Sequence, residues 1–207
     1  MKGLFITFEG MEGCGKSTQA KLLQDYLLKK KHEVLLTREP GGPRISEEIR
    51  ALLLNPEYQE MIPVTEVLLY MASRSQHTGE WIIPALKEGK IVISDRYTDS
   101  TLAYQGAARK VDFGMIRRLN RFATFATEPD ITFLIDVPVK TGLSRIESRV
   151  LDRLEQEDFA FHQKVRKKFL FIAKRNPKRF IVINGKLDIE TIHEQICSAV
   201  MHKLKEV

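Results

Sequence analysis

The chain is built around the segment Gly10-Met11-Glu12-Gly13-Cys14-Gly15-Lys16-Ser17, which fits the pattern G-x-x-x-x-G-K-[ST] at every fixed position. An apolar run (4–8) precedes it and a helical apolar pattern follows it, which predicts a strand, a loop and a helix. Glycine tolerates positive φ, and a helix N-terminus attracts anions. We therefore predict a nucleotide phosphate site, with a glycine-rich turn without function as the disfavoured alternative. Its expected ATP contacts are Gly10, Met11, Glu12, Gly13, Cys14, Gly15, Lys16, Ser17 and Thr18.

A lysine and a metal ion are expected to neutralise the phosphate charge of ATP at this site. Lys16 should reach the β- and γ-phosphates of ATP, and Ser17, the first helical hydroxyl, should ligate Mg²⁺. Asp95 follows the apolar run 91–94 directly, so its carboxylate is expected at the same edge of the sheet, as a second ligand of Mg²⁺ or of its waters. In the alternative that stays open, Asp95 caps a loop and pairs with Arg96.

Composition narrows the class of protein. The 207 residues include 33 Lys and Arg against 27 Asp and Glu, a formal net charge of +6. That charge suits nucleic acid, but it equally suits an enzyme whose substrates carry many phosphates. Two cysteines, the start of the first strand close to Met1, and no apolar stretch of the ~18 residues that a membrane span needs favour a cytoplasmic protein. The length is typical of a single domain, residues 1–207.

Five short apolar runs alternate with helical patterns along the chain. The alternation predicts an α/β fold of three layers, in which helices cover both faces of a five-stranded parallel sheet. The predicted strands are 4–8, 34–37, 91–94, 131–136 and 180–184. The predicted helices are 17–30, 46–54, 64–87 with a bend near Pro84, 113–127, 141–149, 158–174 and 189–205. Ligands of such sheets bind at the carboxyl ends of the strands, so the polar residues there are candidates for the site.

Longer segments extend the pattern: Phe8-Glu9-Gly10-Met11-Glu12-Gly13, Thr37-Arg38-Glu39-Pro40-Gly41-Gly42, Asp95-Arg96-Tyr97-Thr98-Asp99-Ser100-Thr101-Leu102-Ala103-Tyr104-Gln105-Gly106 and Leu151-Asp152-Arg153-Leu154-Glu155-Gln156-Glu157-Asp158. Together they resemble the thymidylate kinase family, in the bacterial form that keeps its catalytic arginine in the lid. The resemblance implies a phosphate-loop nucleoside monophosphate kinase fold and a homodimer that pairs through helices. It also implies the reaction of MgATP with dTMP, which gives ADP and dTDP.

The resemblance assigns residues to the phosphate acceptor. Glu12 matches the acidic residue that meets the acceptor's 3′-OH, and Arg96 matches the arginine that grips its phosphate. Tyr70 and Arg74 match an aromatic ring that stacks on thymine and an arginine that donates to its O4; for Tyr70, ordinary core packing is the open alternative. The other expected acceptor residues are Arg38, Glu39 and Arg50 near the phosphate, Thr101 and Gln105 at the base edge, and Tyr104 at the sugar's 2′ position.

A lid is expected at residues 141–155. Arg145, Arg149 and Arg153 recur there at i, i+4 and i+8, so they share one helix face if the helix continues past Arg149. We take Arg149 as the first candidate for the catalytic arginine because it lies in the middle of the lid, and Arg145 as the second. Arg153 is expected in ion pairs with Asp152 and Glu155. A solvated basic face is the alternative.

The need for a lid arginine follows from the loop. Where other forms of the family carry a catalytic arginine, this chain has Glu12 or Gly13, and neither cancels charge in the transition state. Lys16, Arg96 and a lid arginine are therefore the expected catalytic residues. After the segment Arg38-Glu39-Pro40-Gly41-Gly42, the chain departs from the family's pattern at Pro43 and Ser46. This departure leaves open the geometry of the segment, which we call the acceptor loop.

Two other functions compete. One is a different phosphate-loop nucleoside or nucleotide kinase, because the loop and the Asp-Arg pair recur across that fold. The other is a nucleotide-dependent switch or a nucleic-acid-binding ATPase, which would lack the second phosphate site that Arg38, Arg74, Arg96 and Tyr104 are expected to form. The preferred partners are ATP, dTMP and a second copy of the chain, with neither nucleic acid nor a membrane among them.

Overall fold

The computed structural model describes residues 3–148 and 150–205. Within them, five strands form one sheet in the order β2-β3-β1-β4-β5, and each neighbouring pair is parallel. The strands are β1 Phe5–Glu9, β2 Val34–Arg38, β3 Ile91–Asp95, β4 Ile131–Asp136 and β5 Phe180–Asn184. The predicted parallel sheet is confirmed, although β1, β2 and β3 each end one residue later than their apolar runs.

Helices connect the strands. In the described residues they are α1 Lys16–Lys29, α2 Arg44–Leu54, α3 Pro63–His77, α4 Ile83–Lys87, α5 Thr98–Thr101, α6 Phe113–Ala123, α7 Val139–Ser144, α8 Phe159–Arg175 and α9 Ile189–Leu204. Two π-helical segments, Thr78–Ile82 and Leu102–Ala108, continue α3 and α5 directly.

Hydrophobic clusters lie on both faces of the sheet, because successive residues of a strand point to opposite faces. On one face, Leu23 of α1 and Ile196 of α9 pack in the cluster that contains Ile6 of β1. On the other face, Phe169 of α8 packs in the cluster that contains Leu134 of β4. Coverage on both sides explains why the strands are apolar without alternation, as predicted.

Several helix predictions were wrong in extent. The predicted helix 64–87 is α3, a π-helical turn and α4, and Pro84 is the second residue of α4, directly after the π-helical turn. The predicted helix 113–127 ends at Ala123, and Phe125 and Ala126 beyond it have φ of +51° and +57°. The segment from Thr98 to Ala108 is helical, and the sequence reasoning placed no helix there.

The lid helix is the largest correction. The predicted helix 141–149 is α7, Val139–Ser144, and residues 145–148 form a turn. Arg145 therefore lies just past the helix end, while Arg149 lies outside the described residues. The expectation that three arginines share one helix face was wrong, because α7 ends before the first of them, Arg145.

Candidate active site

The phosphate loop joins β1 to α1 at the carboxyl edge of the sheet. Gly13 and Gly15 have φ of +67° and +98°, which L side chains rarely adopt. A Cβ on Gly13 would lie 2.0 Å from the carbonyl oxygen of Gly142, so this turn also requires glycine for close packing. Lys16, the first residue of α1, is buried, and its Nζ donates to the carbonyl oxygen of Met11 at 2.8 Å. The lysine ammonium thus lies against the backbone of the phosphate loop.

Ser17 and Asp95 meet next to this loop. The Ser17 hydroxyl donates to Oδ2 of Asp95 at the end of β3. The other carboxylate oxygen, Oδ1, is buried and makes no hydrogen bond. Hydroxyl and carboxylate oxygens are ligands that Mg²⁺ prefers, so the pair fits the expected metal site.

Arg96 follows with a backbone φ of +73°, unusual for a residue other than glycine. Its backbone N–H donates to the carbonyl oxygen of Phe8 at 2.9 Å, which ties the turn after β3 to β1. Its guanidinium donates to the carbonyl oxygen of Gly10 at 3.0 Å and to Oε1 of Glu12 at 3.1 Å. A backbone conformation of this kind often marks a functional site, and here it places Arg96 beside the phosphate loop.

A cavity of about 670 Å³ opens in front of these groups. It is lined by residues of the phosphate loop, by all the expected acceptor residues and by one lid arginine. The predicted site residues on its wall are Glu12, Gly13, Cys14, Gly15, Lys16, Ser17, Thr18, Arg38, Glu39, Arg50, Tyr70, Arg74, Asp95, Arg96, Thr101, Tyr104, Gln105 and Arg145. Gly10, Met11 and Arg153 are not part of the lining.

Glu12 connects the loop to the acceptor side of the cavity. Its Oε1 accepts from the Tyr104 hydroxyl at 2.5 Å as well as from Arg96. The Arg96 guanidinium lies 5.1 Å from the centre of the Tyr104 ring, a cation–π distance. Burial by itself would raise the pKa of Glu12, but His162, Arg96, Lys16 and Tyr104 outweigh it and lower that pKa to about 2. Glu12 is therefore a buried carboxylate at neutral pH.

Arg74 is buried among acceptors from four other elements. Its Nε donates to Glu39 at 2.7 Å, and one terminal nitrogen donates to Thr101 at 2.8 Å and to Asn120 at 2.7 Å. The other terminal nitrogen donates to the carbonyl oxygen of Tyr97 at 3.0 Å. Four of the five guanidinium N–H groups are thus engaged, which fixes the plane of the fork. The partner Asn120, on α6, was missed, because an isolated asparagine carries no motif.

His77 also contacts the Glu39 carboxylate that pairs with Arg74. Its Nδ1 lies 3.0 Å from Glu39 and its Nε2 lies 2.7 Å from the Thr37 hydroxyl. Burial raises the pKa of Glu39, but Arg74 and His77 outweigh this effect, and the net shift is downward. Glu39 is therefore held as a carboxylate between two basic side chains.

The acceptor loop tolerates its two unusual residues. Pro43 directly precedes the first residue of α2, where a missing N–H leaves no helical hydrogen bond unmade. The Ser46 hydroxyl donates to the carbonyl oxygen of Ser73 at 2.9 Å and so links α2 to α3. On the cavity wall, Arg38 pairs with Glu47 at 2.9 Å, and Arg50 donates to the carbonyl oxygen of Pro40 at 2.6 Å.

The lid arginines separate into different environments. Arg145 donates to the carbonyl oxygens of Gly13 at 3.2 Å and Gly185 at 3.3 Å, beside the phosphate loop. Arg153 is 3% exposed and pairs with the buried Glu66 at 2.6 Å. Arg153 is thus held in an ion pair, as expected for it, but with Glu66 of α3, a partner that the sequence reasoning missed.

The sheet order, the phosphate loop and a second group of basic and aromatic residues in one cavity define a phosphate-loop kinase of the nucleoside monophosphate class. A family model for thymidylate kinase matches residues 8–196. The chain therefore belongs to the thymidylate kinase family, and it is an ATP-dependent phosphotransferase.

Relatives agree over nearly the whole chain. A thymidylate kinase of Lactobacillus acidophilus is 47% identical over 99% of this chain and 96% of its own length. One of Geobacter sulfurreducens is 45% identical over 98% of both chains. The crystal structure of thymidylate kinase from Ehrlichia chaffeensis, at 37% identity, superposes with a TM-score of 0.80 over 97% of this chain and 99% of that one. Neither a different kinase nor a nucleotide-dependent switch is favoured by these matches.

No helix within residues 3–148 and 150–205 has the length and apolar character that a membrane span requires.

Proposed function

We propose that the two ends of this cavity hold ATP and dTMP, and that its residues position them for transfer of the γ-phosphoryl group, which gives ADP and dTDP. The observation that carries this proposal is the position of Glu12. It belongs to the phosphate loop, yet it contacts Arg96 and Tyr104 of the acceptor side, so donor and acceptor sites share a wall.

At the acceptor end, the roles follow from charge and shape. Arg96 holds the phosphate of dTMP, with Arg38 and Arg50 on the same side of the cavity, and Tyr104 crowds the 2′ position of the sugar. Tyr70, Arg74, Thr101 and Gln105 line the base pocket. Arg74 retains one N–H beyond those bound by protein groups, which suits a single hydrogen bond to the base.

At the donor end, Lys16 and the backbone N–H groups of the loop bind the phosphates. Ser17 and Asp95 would hold Mg²⁺, supported by the unbonded Oδ1 of Asp95. When bound, the ion neutralises phosphate charge that develops during transfer. The protein's own part is to align the acceptor oxygen with the γ-phosphorus and to exclude water, because the loose transition state needs no protein nucleophile.

A lid arginine completes the charge neutralisation. Arg145 stands nearest to the loop among the described lid arginines, through its contact with the Gly13 carbonyl. Arg149 remains the first candidate on the ground of its place in the lid sequence. Closure of the lid over both substrates would bring either side chain to the transferred group.

The state of the protein in the cell is also proposed. A homodimer is supported by exposed apolar side chains on α2, α3 and α6, which include Ile45, Leu68 and Phe122. A cytoplasmic location is supported by the two cysteines, Cys14 and Cys197, both free thiols.

Turnover of MgATP with a panel of nucleoside monophosphates tests the proposal. dTMP should be the preferred acceptor, and Lys16→Ala should nearly abolish transfer without a change in thermal unfolding. Lys21→Ala is the matched control, because Lys21 is exposed on the same helix and pairs with Gln24 and Asp25 of that helix. A Lys16→Ala protein with near-normal turnover, or another acceptor used as well as dTMP, would contradict the assignment.

A further inference from the structure

Two buried side chains next to the phosphate loop face each other with unmet polar atoms. Oε2 of Glu12 and both ring nitrogens of His162 are buried and make no hydrogen bond of good geometry. Oε2 and Nδ1 lie 3.4 Å apart, and the His162 side chain is 0% exposed. Buried polar groups without hydrogen bonds cost free energy, so such a pair in a native site calls for an electrostatic or functional reason.

The two oxygens of Glu12 contact different elements. Oε1 accepts from Arg96 of the turn after β3 and from Tyr104 of the π-helical segment. Oε2 faces His162, which lies in the first turn of α8. The carboxylate is thus held on one side by the acceptor residues and on the other by the helix that follows the lid.

We propose that His162 is a positioning residue for phosphoryl transfer: its charged ring fixes the carboxylate of Glu12 and, through it, Arg96 and Tyr104 on the acceptor. This inference rests on the proposed role of those two residues in binding dTMP. His162 itself does not line the cavity, so its action on the substrate is indirect.

The charges around the pair determine its pH dependence. Burial opposes the charged ring, but Glu12 and the backbone carbonyls of Glu155 and Glu157 raise the pKa of His162 above its ordinary value. Arg96 and Tyr104 contact the other oxygen of Glu12, and the charge of Lys16 also lowers the pKa of Glu12. The ring of Phe161 lies 5.5 Å from that of His162. Glu12 stays ionised, so the member of this pair whose charge changes with pH is the imidazole. The link is present below the raised pKa of His162 and is lost as the pH rises through it.

The test compares His162→Gln with His193→Gln. His193, on α9, is the matched control because it lies outside the cavity and its partner is the Cys197 thiol. For His162→Gln, the KM for dTMP should rise about tenfold at pH 7, the equivalent of one charge-assisted hydrogen bond, with the KM for ATP within about twofold of wild type. The alkaline decline of kcat/KM for dTMP should disappear, whereas His193→Gln should keep it.

Glu12→Gln separates this inference from the proposed function. If Glu12→Gln leaves the KM for dTMP unchanged, the assigned role of Glu12 is wrong. If Glu12→Gln raises that KM and His162→Gln does not, only the positioning role is wrong. A His162→Gln protein with a lower unfolding temperature but an unchanged KM and pH profile would assign His162 to structure alone and overturn the inference.

Discussion

Arg74 illustrates how single residues combine structure with recognition. Its guanidinium reaches α5, α6 and the loop after β2, and it also lines the cavity. The ion pair with Glu39 is 2.7 Å long, and both side chains are 2% exposed. A charge buried to this degree is tolerated only when its partners are complete, so removal of the guanidinium leaves Glu39 without its main counter-charge.

We predict that Arg74→Ala lowers the free energy of unfolding by about 3 to 5 kcal/mol, the usual cost of breaking a buried ion pair. Under conditions where the variant is folded, the KM for dTMP should rise and the KM for ATP should not. Arg38→Ala is the stability control, because its pair with Glu47 is 53% and 38% exposed and should contribute less than about 1 kcal/mol. Denaturant unfolding and steady-state kinetics measure both effects. Equal losses of stability in the two variants, or a defect confined to ATP, would refute this account.

Among the elements, the helical segment that begins with α5 depends on tertiary contacts. Glu9 at the end of β1 accepts from the backbone N–H of Tyr97 at 2.9 Å and from the Ser100 hydroxyl at 2.6 Å. Asp99 of the same helix is held by two hydrogen bonds from Arg179, at 2.7 and 2.8 Å. The start of the segment that carries Thr101, Tyr104 and Gln105 is therefore fixed by residues distant in sequence.

Glu9 should make stability depend on pH. Burial and the charge of Asp99 raise the pKa of Glu9 from 4.5 to about 7, despite its hydrogen bonds. A carboxyl group with a raised folded-state pKa stabilises the protein most below its unfolded value, and this contribution is lost as the pH rises through about 7. Between pH 5 and 8, the free energy of unfolding of wild type should fall relative to that of Glu9→Gln by an amount on the order of 2 kcal/mol.

Urea unfolding at several pH values measures this difference. Glu33→Gln, at a carboxylate that is 77% exposed, is the control and should follow wild type. Parallel pH curves for wild type and Glu9→Gln would show that Glu9 does not take up a proton in this range.

Alanine variants of the lid arginines test whether the lid supplies the positive charge for catalysis. Arg149→Ala should lower kcat and kcat/KM together by about 10³-fold or more, with little change in either KM, because the charge acts mainly in the transition state. Arg145→Ala should cause the second-largest loss of kcat, because it removes the guanidinium that contacts the Gly13 carbonyl oxygen. Arg153→Ala should instead lower stability, since Glu66 would lose a cation 2.6 Å away.

Steady-state kinetics and thermal unfolding of the three single variants decide among them. If none lowers kcat by even tenfold, the source of the charge must be sought among Arg38, Arg50 and Arg96.

The sequence predicts an element well when the element's own residues specify it, and poorly when contacts with distant residues hold it in place. The strands and α1 are specified by their own residues. β-branched and apolar runs specify the strands, and the phosphate-loop pattern places the ends of α1 within one residue. The helical segment from Thr98 has no apolar period in its first turn and is ordered by Glu9 and Arg179, about 80 to 90 residues away in sequence. Arg153 likewise depends on Glu66 across the fold. Contacts of this kind leave no periodic signal in either segment.

At the scale of the whole molecule, the site draws on nearly the entire chain. The cavity wall runs from Glu12 to Ile192 in sequence, because a parallel sheet brings the ends of all its strands to one edge. That edge carries the proposed substrate cavity, while a different surface of the protein exposes apolar side chains. α2 and α6 both pack against α3. These three helices expose Ile45 (56%), Leu52 (45%), Val64 (57%), Leu68 (53%) and Phe122 (82%).

We expect this three-helix surface to be the homodimer contact. Several large apolar side chains are exposed on these adjoining helices, and large apolar patches are rare on monomers and typical of interfaces. A stable pair buries about 1,200 to 2,000 Å² in all, with few charges at its centre.

Leu68→Lys, in the middle helix, would put an unpaired ammonium into that centre and should weaken association at least tenfold, with the unfolding temperature of the monomer nearly unchanged. Leu28→Lys is the matched control, because Leu28 is 48% exposed on α1, a helix that packs with α9. Sedimentation velocity over a range of concentrations measures both. A wild-type protein that sediments as a monomer throughout, or a Leu68→Lys protein as dimeric as Leu28→Lys, would show that this surface does not pair the chains.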